Sequence, residues 1–332
     1  PWTRPGKLIS SGPFTLKEWK PHQHILVEKS LTYWDHATVR LNAIQFYPID
    51  SMDAEERAFR AGQLHGTWAL PLSKILPLQQ EKSPALRIDP ILETYFFRLN
   101  VRRAPLNDQR IRRALSLAID RDAIAQKILP GGRQPAPTLI SSVIPGYTPP
   151  PRRAYDLAAA RQLLAEAGHA GGAGLPPIEI LYNNSEILRL VAEAIQQMWR
   201  RDLGLDIRLV NQEFKVVFAS RRTGDYQILL GSWTADYLDA TTFLDLWRSD
   251  SGNNHTGWAD PAYDALSDQA NRLADPAARG AVLTAAEALV LEAAPIIPIY
   301  FNTHVYLLHP AVRGWQPTPM DHSDYRYVWL EK

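Results

Sequence analysis

The sequence predicts an α/β chain with two lobes, built from mixed sheets flanked by helices. Short segments of residues 14–46 alternate apolar and polar side chains with a period of two, and they are set off by Gly12-Pro13, Pro21 and the Tyr33-Trp34-Asp35 corner. This pattern is typical of short antiparallel strands. Residues 178–210 instead read as strand, long amphipathic helix and strand, which favours a βαβ unit and a partly parallel sheet. Because the pattern changes along the chain, we expect two lobes.

The remaining elements follow from caps and periodicity. A helix over 53–62 is expected to end at Gly62, and Asn107-Asp108 is expected to cap the next helix. Residues 130–153 are rich in Pro and Gly and predict a loop. Strands are predicted at 93–99, 178–182, 205–210, 226–230 and 296–308, and further helices from 156 to 168, from about 187 to 199 and over 276–293.

Composition excludes several classes of protein. The 332 residues include 36 basic and 35 acidic side chains, with no basic concentration that would indicate a nucleic-acid surface. Cysteine is absent, which excludes thiol catalysis, disulfides and thiolate metal sites. No apolar run approaches the roughly 20 residues of a membrane span. Residues 1–6 read as a loop from the middle of a protein without a signal peptide, so we expect truncation or processing.

Enzymatic and metal-binding signatures give little support. The HExxH, GxSxG, Walker A and Rossmann glycine patterns do not occur. Asp120, Asp122 or Asp236 with a histidine could in principle perform hydrolysis, but no nucleophile–base pattern accompanies them. His22 and His24 could share one face of a strand and bind a metal. An exposed pair is the favoured interpretation, and we predict neither a metal nor a cofactor.

The segment Gly231–Tyr237, sequence GSWTADY, is the most informative for function. It follows the predicted strand 226–230, and ligands of open α/β sheets sit at the carboxyl ends of strands. Asp236 could accept a charge-assisted hydrogen bond from an ammonium group, with Trp233 as an apolar wall. The alternative is that Asp236 caps a following helix and Trp233 fills the core. Position alone leaves both open.

Short motifs in a fixed order give the chain a recognisable resemblance. They are SGPFTLKEW (11–19), YWD (33–35), AFRAGQL (58–64), YFFRLN (95–100), PLND (105–108), RRAL (112–115), LLAEAG (163–168) and NQEF (211–214). In this order they resemble the extracellular solute-binding protein family 5 of ABC transporters, which includes the oligopeptide, dipeptide and murein-peptide receptors. Each motif is weak alone, whereas the ordered set is specific.

The resemblance implies a two-lobed periplasmic-binding-protein-like fold of the class II, cluster C type. By this likeness the first lobe is residues 1–122 plus 302–332 and the second is 123–301. By the same likeness, the family's amino-terminal third and its inserted domain are expected to be missing from this sequence. The resemblance further implies a monomeric, periplasmic receptor, not an enzyme, that captures oligopeptides in a hinged cleft and delivers them to ABC permease subunits.

The resemblance also assigns roles to the central segment. Asp236 is expected to bind the α-ammonium group of a peptide. The backbone of Ser232 and Thr234 is expected to pair with an extended peptide as an added strand, which is indifferent to side chains.

Four further residues receive roles by resemblance. Trp233 and Phe214 are expected to line side-chain pockets, and Phe214 stands where close relatives have Trp. Arg221 resembles a position that can meet a ligand carboxylate, and Asn100 is a weaker candidate beside the hinge. Two alternatives stay open: a family receptor for another ligand (dipeptide, murein peptide, glutathione or nickel chelate), or a truncated fragment that binds nothing.

Overall fold

The fold is described from a computed structural model, which covers residues 4–151 and 155–331. The first three residues of the predicted amino-terminal loop, and part of the predicted 130–153 loop, lie outside the described residues. The strands are β1 (Phe14–Lys20), β2 (His24–Lys29), β3 (Ala43–Phe46), β4 (Leu86–Leu99), β5 (Gln134–Pro135), β6 (Ile178–Asn183), β7 (Ile207–Gln212), β8 (Ile228–Thr234), β9 (Ile296–Leu307), β10 (Val312–Arg313) and β11 (Trp329–Leu330).

Helices occupy much of the rest of the described chain. They are α1 (Met52–Arg60), α2 (Leu72–Gln80), α3 (Gln109–Leu117), α4 (Arg121–Ala123), α5 (Leu157–Glu166), α6 (Glu186–Leu203), α7 (Phe214–Thr223), α8 (Thr241–Leu244), α9 (Pro261–Arg272) and α10 (Pro276–Ala293). Single turns of π- or 3₁₀-helix lie at Ile124–Ile128, Ala170–Gly172, Asp245–Trp247 and Tyr325–Tyr327.

The chain divides into two compact units. The first comprises residues up to 90 and from 304, and the second comprises 91–303. The chain therefore passes from one unit to the other within β4 and again within β9. The lobe boundaries implied by resemblance, 122/123 and 301/302, stay a prediction, because a compact unit is defined by contacts and a lobe by its hinge.

The first unit opens with the predicted antiparallel strands. β1 pairs with β2 and β2 with β3, in register from Ile25 opposite Phe46 to Glu28 opposite Ala43. α1 then begins after Ser51, whose hydroxyl accepts from the Ala54 N–H at 3.3 Å. The helix ends just before Gly62, whose φ of +72° is the left-handed conformation that glycine tolerates best. The early strands and this helix end are confirmed.

The second unit contains the main sheet, whose strand order in the described chain is β5-β9-β4-β8-β6-β7. β6 runs parallel to both β7 and β8, whereas β4 is antiparallel to β8. α6 connects β6 to β7 and buries its apolar stripe against the sheet; Trp199 lies inside and donates from Nε1 to the Leu115 carbonyl at 3.0 Å. The predicted βαβ unit is confirmed.

Several features of the second unit differ from the predictions, among them the unpredicted helices α4 and α9, and two further differences concern β8 and α7. The strand predicted at 226–230 is β8, which runs from Ile228 to Thr234, so the segment expected to follow the strand forms its second half. α7 was not predicted, because Val216 and Val217 weaken the helical signal of its first turns. Its start is fixed by Glu213, whose carboxylate accepts from the Lys215 N–H at 2.8 Å.

Within residues 4–151 and 155–331, no helix is both long and apolar enough to cross a membrane.

Candidate functional site

The second half of β8 has one free edge. Its N–H and C=O groups alternate between the two neighbouring strands, and the bonds Ala235 N–H to Leu92 O and Asn100 N–H to Gln227 O, both 2.8 Å, fix which residues face β4. Odd-numbered residues of β8 bond to β4, so even-numbered residues face the other way. On that side β6 pairs only as far as Leu229.

Ser232 and Thr234 therefore present backbone donors and acceptors that no strand of the described chain pairs with. A row of unpaired N–H and C=O groups on a strand is a template for a further strand. This is the edge that the resemblance assigned to an extended peptide.

Asp236 follows directly after this edge and is exposed. Its N–H donates to Thr242 Oγ1 at 2.9 Å, and its carboxylate has no hydrogen bond or ion pair within the described residues. Asp236 does not cap the following helix: the N-cap of α8 is Ala240, and Asp239 just before it accepts from the Thr241 N–H at 3.0 Å. Asp239 also pairs with Arg279 through two contacts of 2.8 Å. These bonds, that of Arg279 first, lower the pKa of Asp239 to about 2.

Trp233 is half-buried, not a core residue. Its Nε1 is inaccessible to solvent but has no acceptor among the residues that the structure describes. Because residues alternate across a strand, Trp233 shares one face of the sheet with Gly231 and Leu229. An unsatisfied donor beside a free strand edge is an unusual feature for a packing residue.

α7 adds an aromatic and cationic surface. Phe214 is its first residue and 61% exposed, and its ring centroid lies 6.4 Å from that of Phe218. The Arg221 guanidinium carbon lies 4.4 Å from the Phe218 ring centre, within cation–π range. Burial lowers the pKa of Arg221, whose Nε has no acceptor in the described chain.

The carboxyl ends of β6 and β7 hold two acceptors that the sequence did not single out. Asn183 and Gln212 lie opposite each other in the parallel register. Asn183 Oδ1 and Gln212 Oε1 are both buried and lack a donor within the described residues. Their signal in the sequence was weak, since an amide after a strand more often serves a turn.

Arg98 is a third residue that the sequence interpretation did not single out. It is 1% exposed, and its guanidinium forms no hydrogen bond or ion pair within 4–151 and 155–331. The guanidinium carbon lies 4.6 Å from the Phe96 ring centre and 5.7 Å from that of Trp247. Burial lowers the pKa of Arg98 to about 9. An arginine inside the apolar run Tyr95–Leu99 was the available signal.

Asn100 is placed differently from the other predicted site residues. Its side-chain amide donates to the Gly224 and Tyr226 carbonyls at 3.0 and 3.3 Å, and its oxygen accepts from the Arg102 N–H at 3.2 Å. It lies beside the start of β8, about 20 Å along the strand from Thr234. The structure does not bring it together with Asp236.

Asp120 and His24, named in the hydrolytic and metal-binding alternatives, both have partners within the described chain. Asp120 caps α4 by accepting from the Ala123 N–H at 2.9 Å. His24 pairs with Glu18 at 2.7 Å, and the parts of the chain that the structure covers contain no group of three His, Cys, Asp or Glu suited to a metal.

Comparisons with known proteins agree on one family. The family model described as bacterial extracellular solute-binding proteins, family 5 Middle, matches residues 1–255. The periplasmic murein peptide-binding protein MppA of Escherichia coli (strain K12) is 34% identical over 336 residues, which are 98% of this chain and 62% of MppA. Its solved structure superposes with a TM-score of 0.87, covering 100% of this chain and 66% of that one.

Two oligopeptide-binding relatives give the same result. The periplasmic oligopeptide-binding protein OppA of Escherichia coli (strain K12) is 32% identical over 347 residues, 100% of this chain and 62% of OppA. The crystal structure of Haemophilus influenzae OppA in complex with the peptide RPPGFSPFR has a TM-score of 0.84 and 30% identity, and the match covers 100% of this chain and 66% of that one. The chain spans about 62% of the length of these curated relatives.

The family model covers most of the chain, and the relatives match it from end to end. The sequence-based family and α/β fold class are therefore confirmed, and the matched relatives are solute-binding proteins, not enzymes. The chain belongs to the bacterial extracellular solute-binding proteins of family 5.

Proposed function

We propose that this chain is the part of a periplasmic receptor that binds the backbone and amino terminus of an oligopeptide, which the whole protein delivers to an ABC importer. The observation that carries the proposal is the free edge at Ser232 and Thr234, followed directly by the exposed and unpaired Asp236. The peptides in the names of the relatives support the same ligand class.

The binding mode follows from the edge. A peptide in extended conformation exchanges N–H···O bonds with the even-numbered residues of β8, and this pairing does not depend on its side chains. Its α-ammonium group is bound by Asp236 through a charge-assisted hydrogen bond. Trp233 and Phe214 line the spaces for peptide side chains, and Arg221 meets a carboxylate.

The ammonium anchor is tested by calorimetric titration of the whole chain with tri- to pentapeptides and the same peptides N-acetylated. We expect acetylation, or the substitution Asp236→Asn, to weaken binding by about 10-fold or more, since a hydrogen bond to a charged group contributes about 1.5–3 kcal/mol. Asp206→Asn is the matched control: this exposed aspartate precedes β7, and only loose contacts of 3.7–3.9 Å link it to arginines. Equal binding by free and acetylated peptides would refute the anchor.

The edge itself is tested with the peptide. N-methylation of one backbone amide at a time removes a donor without changing charge. We expect methylation at alternate residues to abolish binding and at the intervening residues to be tolerated, because alternate amides of a strand face the same neighbour. A uniform response to methylation would exclude strand addition. If the folded chain bound no peptide at all, the proposed function would be rejected for this chain.

A further inference from the structure

A buried carboxylate on α10, that of Glu287, joins the helix to the Pro-rich loop that precedes the second unit's long helices. Glu287 Oε1 accepts from the N–H groups of Leu139 and Ile140 at 2.6 and 2.9 Å, and Oε2 accepts from the Tyr147 hydroxyl. The side chain is 0% exposed. Glu287 does not belong to the free edge or to the surfaces beside it, so its effect on a ligand has to pass through other residues.

The peptide unit between Leu139 and Ile140 connects Glu287 to the main sheet. Its N–H is the Ile140 donor to Glu287, and its C=O accepts from the Thr94 hydroxyl at 2.8 Å. A peptide unit is planar and stiff, so its two ends move together. A carboxylate at the N–H end also polarises the unit, which makes its C=O a stronger acceptor. Glu287 therefore acts on Thr94 through two hydrogen bonds in series.

Thr94 lies next to the proposed peptide site. It is opposite Trp233 in the register of β4 and β8, so the two side chains are neighbours on one face of the sheet. Two residues earlier, Leu92 O accepts from the Ala235 N–H at 2.8 Å. β4 holds the second half of β8, whose other side is free in the described chain. Fixing Thr94 therefore fixes the strand on which the free edge depends.

The contacts of Glu287 can be made in two protonation states. Burial, partly offset by the bonds from Tyr147, Ile140 and Leu139, raises the pKa of Glu287 to about 7. Burial and the charge of Glu287 raise the pKa of Tyr147 well above its usual range, so the hydroxyl keeps its proton. That hydroxyl donates to a carboxylate or accepts from a carboxylic acid. Protonation of Glu287 therefore preserves the contact with Tyr147 but replaces the charge-assisted bonds to the loop amides by weaker neutral ones.

Tyr263 of α9 also lies near Glu287 and is 0% exposed. Burial, then the charges of Asp245, Glu287 and Asp264, raise the pKa of Tyr263 well above its usual range, whereas Arg248 lowers it. Tyr263 therefore stays neutral near pH 7. The change of charge with pH at this contact between α9, α10 and the loop belongs to Glu287.

We propose that Glu287 is a positioning residue for the peptide site: it fixes Thr94 through the Leu139–Ile140 peptide unit, and its ionised form does so more firmly, so that peptide affinity rises with pH. This inference rests on the proposed function. A peptide added to the free edge of β8 orders the same strands that ionised Glu287 fixes. Peptide binding and ionisation of Glu287 therefore favour each other, and this coupling is reciprocal.

The direction of the pH dependence follows from this coupling. If the peptide-bound chain holds Glu287 in its ionised form, the pKa of Glu287 is lower in the bound chain than in the free one. Binding then releases a proton in the interval between the two values, so affinity rises with pH across that interval. Above about pH 7 both states are ionised, and the affinity becomes constant.

Glu287→Gln tests the coupling, because the glutamine amide reproduces the uncharged acid at every pH. The whole chain is titrated calorimetrically with trialanine, whose side chains do not ionise, at intervals from pH 5.5 to 8. We expect wild type and Glu287→Gln to bind equally at pH 5.5, and wild type to bind about 5-fold or more tightly at pH 8. Titration of the peptide's own amino group cancels in this ratio. Glu193→Gln is the matched control: its exposed carboxylate pairs with Arg189 at 2.9 Å, so its profile should follow that of wild type. A ratio of affinities independent of pH would overturn the proposal.

Tyr147→Phe gives an independent readout, whether or not Glu287→Gln folds. It removes the donor to Oε2 and leaves Glu287 free to titrate. Because that hydrogen bond favours the ionised form, the midpoint of the pH profile of trialanine affinity is expected to move upward by about 0.5 pH unit or more. A residue that only stabilised the fold would not move this midpoint. An unchanged midpoint in Tyr147→Phe would exclude Glu287 as the titrating group.

Hydrogen exchange tests the positioning without a peptide. In the ligand-free chain at pH 7.5, the amides of residues 91–95 and 231–235 are expected to exchange about 3-fold or more faster in Glu287→Gln than in wild type, and at pH 5.5 equally fast. The amides of β1 and β2 provide the internal control. Faster exchange at pH 7.5 in a chain that binds neither trialanine nor the other peptides would retain the positioning role and reject the proposed function. Equal exchange in both proteins at both pH values would overturn the positioning role.

Discussion

Two buried charged side chains of the second unit, Glu287 and Arg98, differ in whether they have hydrogen-bond partners. Glu287 is 0% exposed, and its carboxylate accepts from the N–H groups of Leu139 and Ile140 at 2.6 and 2.9 Å and from the Tyr147 hydroxyl. Arg98 is 1% exposed and has no acceptor in the described chain. Both side chains cost desolvation energy, but only the first recovers part of it through hydrogen bonds within the protein.

The difference separates a charge that holds part of the chain from one that has no hydrogen-bond partner in the described residues. Glu287 holds the Pro-rich loop that the sequence predicted at 130–153, because Leu139, Ile140 and Tyr147 all belong to it. A loop with few regular hydrogen bonds needs such a partner for its buried amides. Arg98 contacts the rings of Phe96 and Trp247 but forms no hydrogen bond or ion pair with the described residues, so replacing it by an apolar side chain of similar size should cost the fold little. The following predictions test the comparison from the largest effect to the smallest.

Replacing Glu287 by Ala should have the largest effect. It leaves two backbone amides and a phenol buried without an acceptor, and breaking such a network costs about 3–5 kcal/mol. Urea unfolding of both proteins measures the loss. Glu193→Ala is the control, because its exposed pair with Arg189 at 2.9 Å should contribute less than about 0.5 kcal/mol. A loss below about 1 kcal/mol in Glu287→Ala would erase the contrast with Arg98.

The charge on Glu287 should also make stability depend on pH. Burial, partly offset by its hydrogen bonds, raises the pKa of Glu287 to about 7 from its usual 4.5. The folded state therefore binds a proton that the unfolded state has released between these values. The contribution is full below about pH 4.5 and is lost as pH rises through about 7, a change of about 3 kcal/mol.

Urea unfolding of wild type and Glu287→Gln across pH 4.5–8 measures this dependence. The glutamine cannot titrate, so the difference between the two unfolding free energies should change over this window in favour of glutamine at high pH. A difference independent of pH would show that Glu287 keeps an ordinary pKa.

The smallest effect concerns two aspartates three residues apart. Asp239 accepts from the first N–H of α8 and pairs with Arg279, so Asp239→Asn should lower the unfolding free energy by about 1 kcal/mol. Asp236→Asn should change it by less than about 0.5 kcal/mol, since the Asp236 carboxylate has no partner in the described chain. A large loss of stability in Asp236→Asn would indicate a structural role and weaken the proposed ammonium anchor.

Local rules predicted much of the fold. Period-two alternation identified β1 to β3, the caps at Asp108 and Asp156 identified α3 and α5, and the βαβ pattern identified α6 with its flanking strands. These signals lie in neighbouring residues. The length of β8 did not follow from the sequence, because strand pairing with β4 extends it through Gly231, a residue that usually weakens a strand.

The candidate site was predictable only where a residue type carried its own chemistry. Asp236 and Trp233 stood out beside a strand end, and the resemblance added Phe214 and Arg221. The free edge of Ser232 and Thr234 depends on where β6 stops pairing, and the isolation of Arg98 depends on which carboxylates fail to reach it. Both are properties of residues far apart along the chain, so no local pattern contains them.

The free edge also determines which side chains of a bound peptide would point to each face of the sheet. Consecutive side chains of an added strand point to opposite faces, and in the proposed binding mode Asp236 fixes where the peptide begins. A peptide paired along the second half of β8 would therefore place every second side chain in the same environment. Residues of one parity meet the aromatic and cationic face of Trp233, and the others meet the opposite face. A peptide that is one residue longer at its amino terminus would present every side chain to the other face.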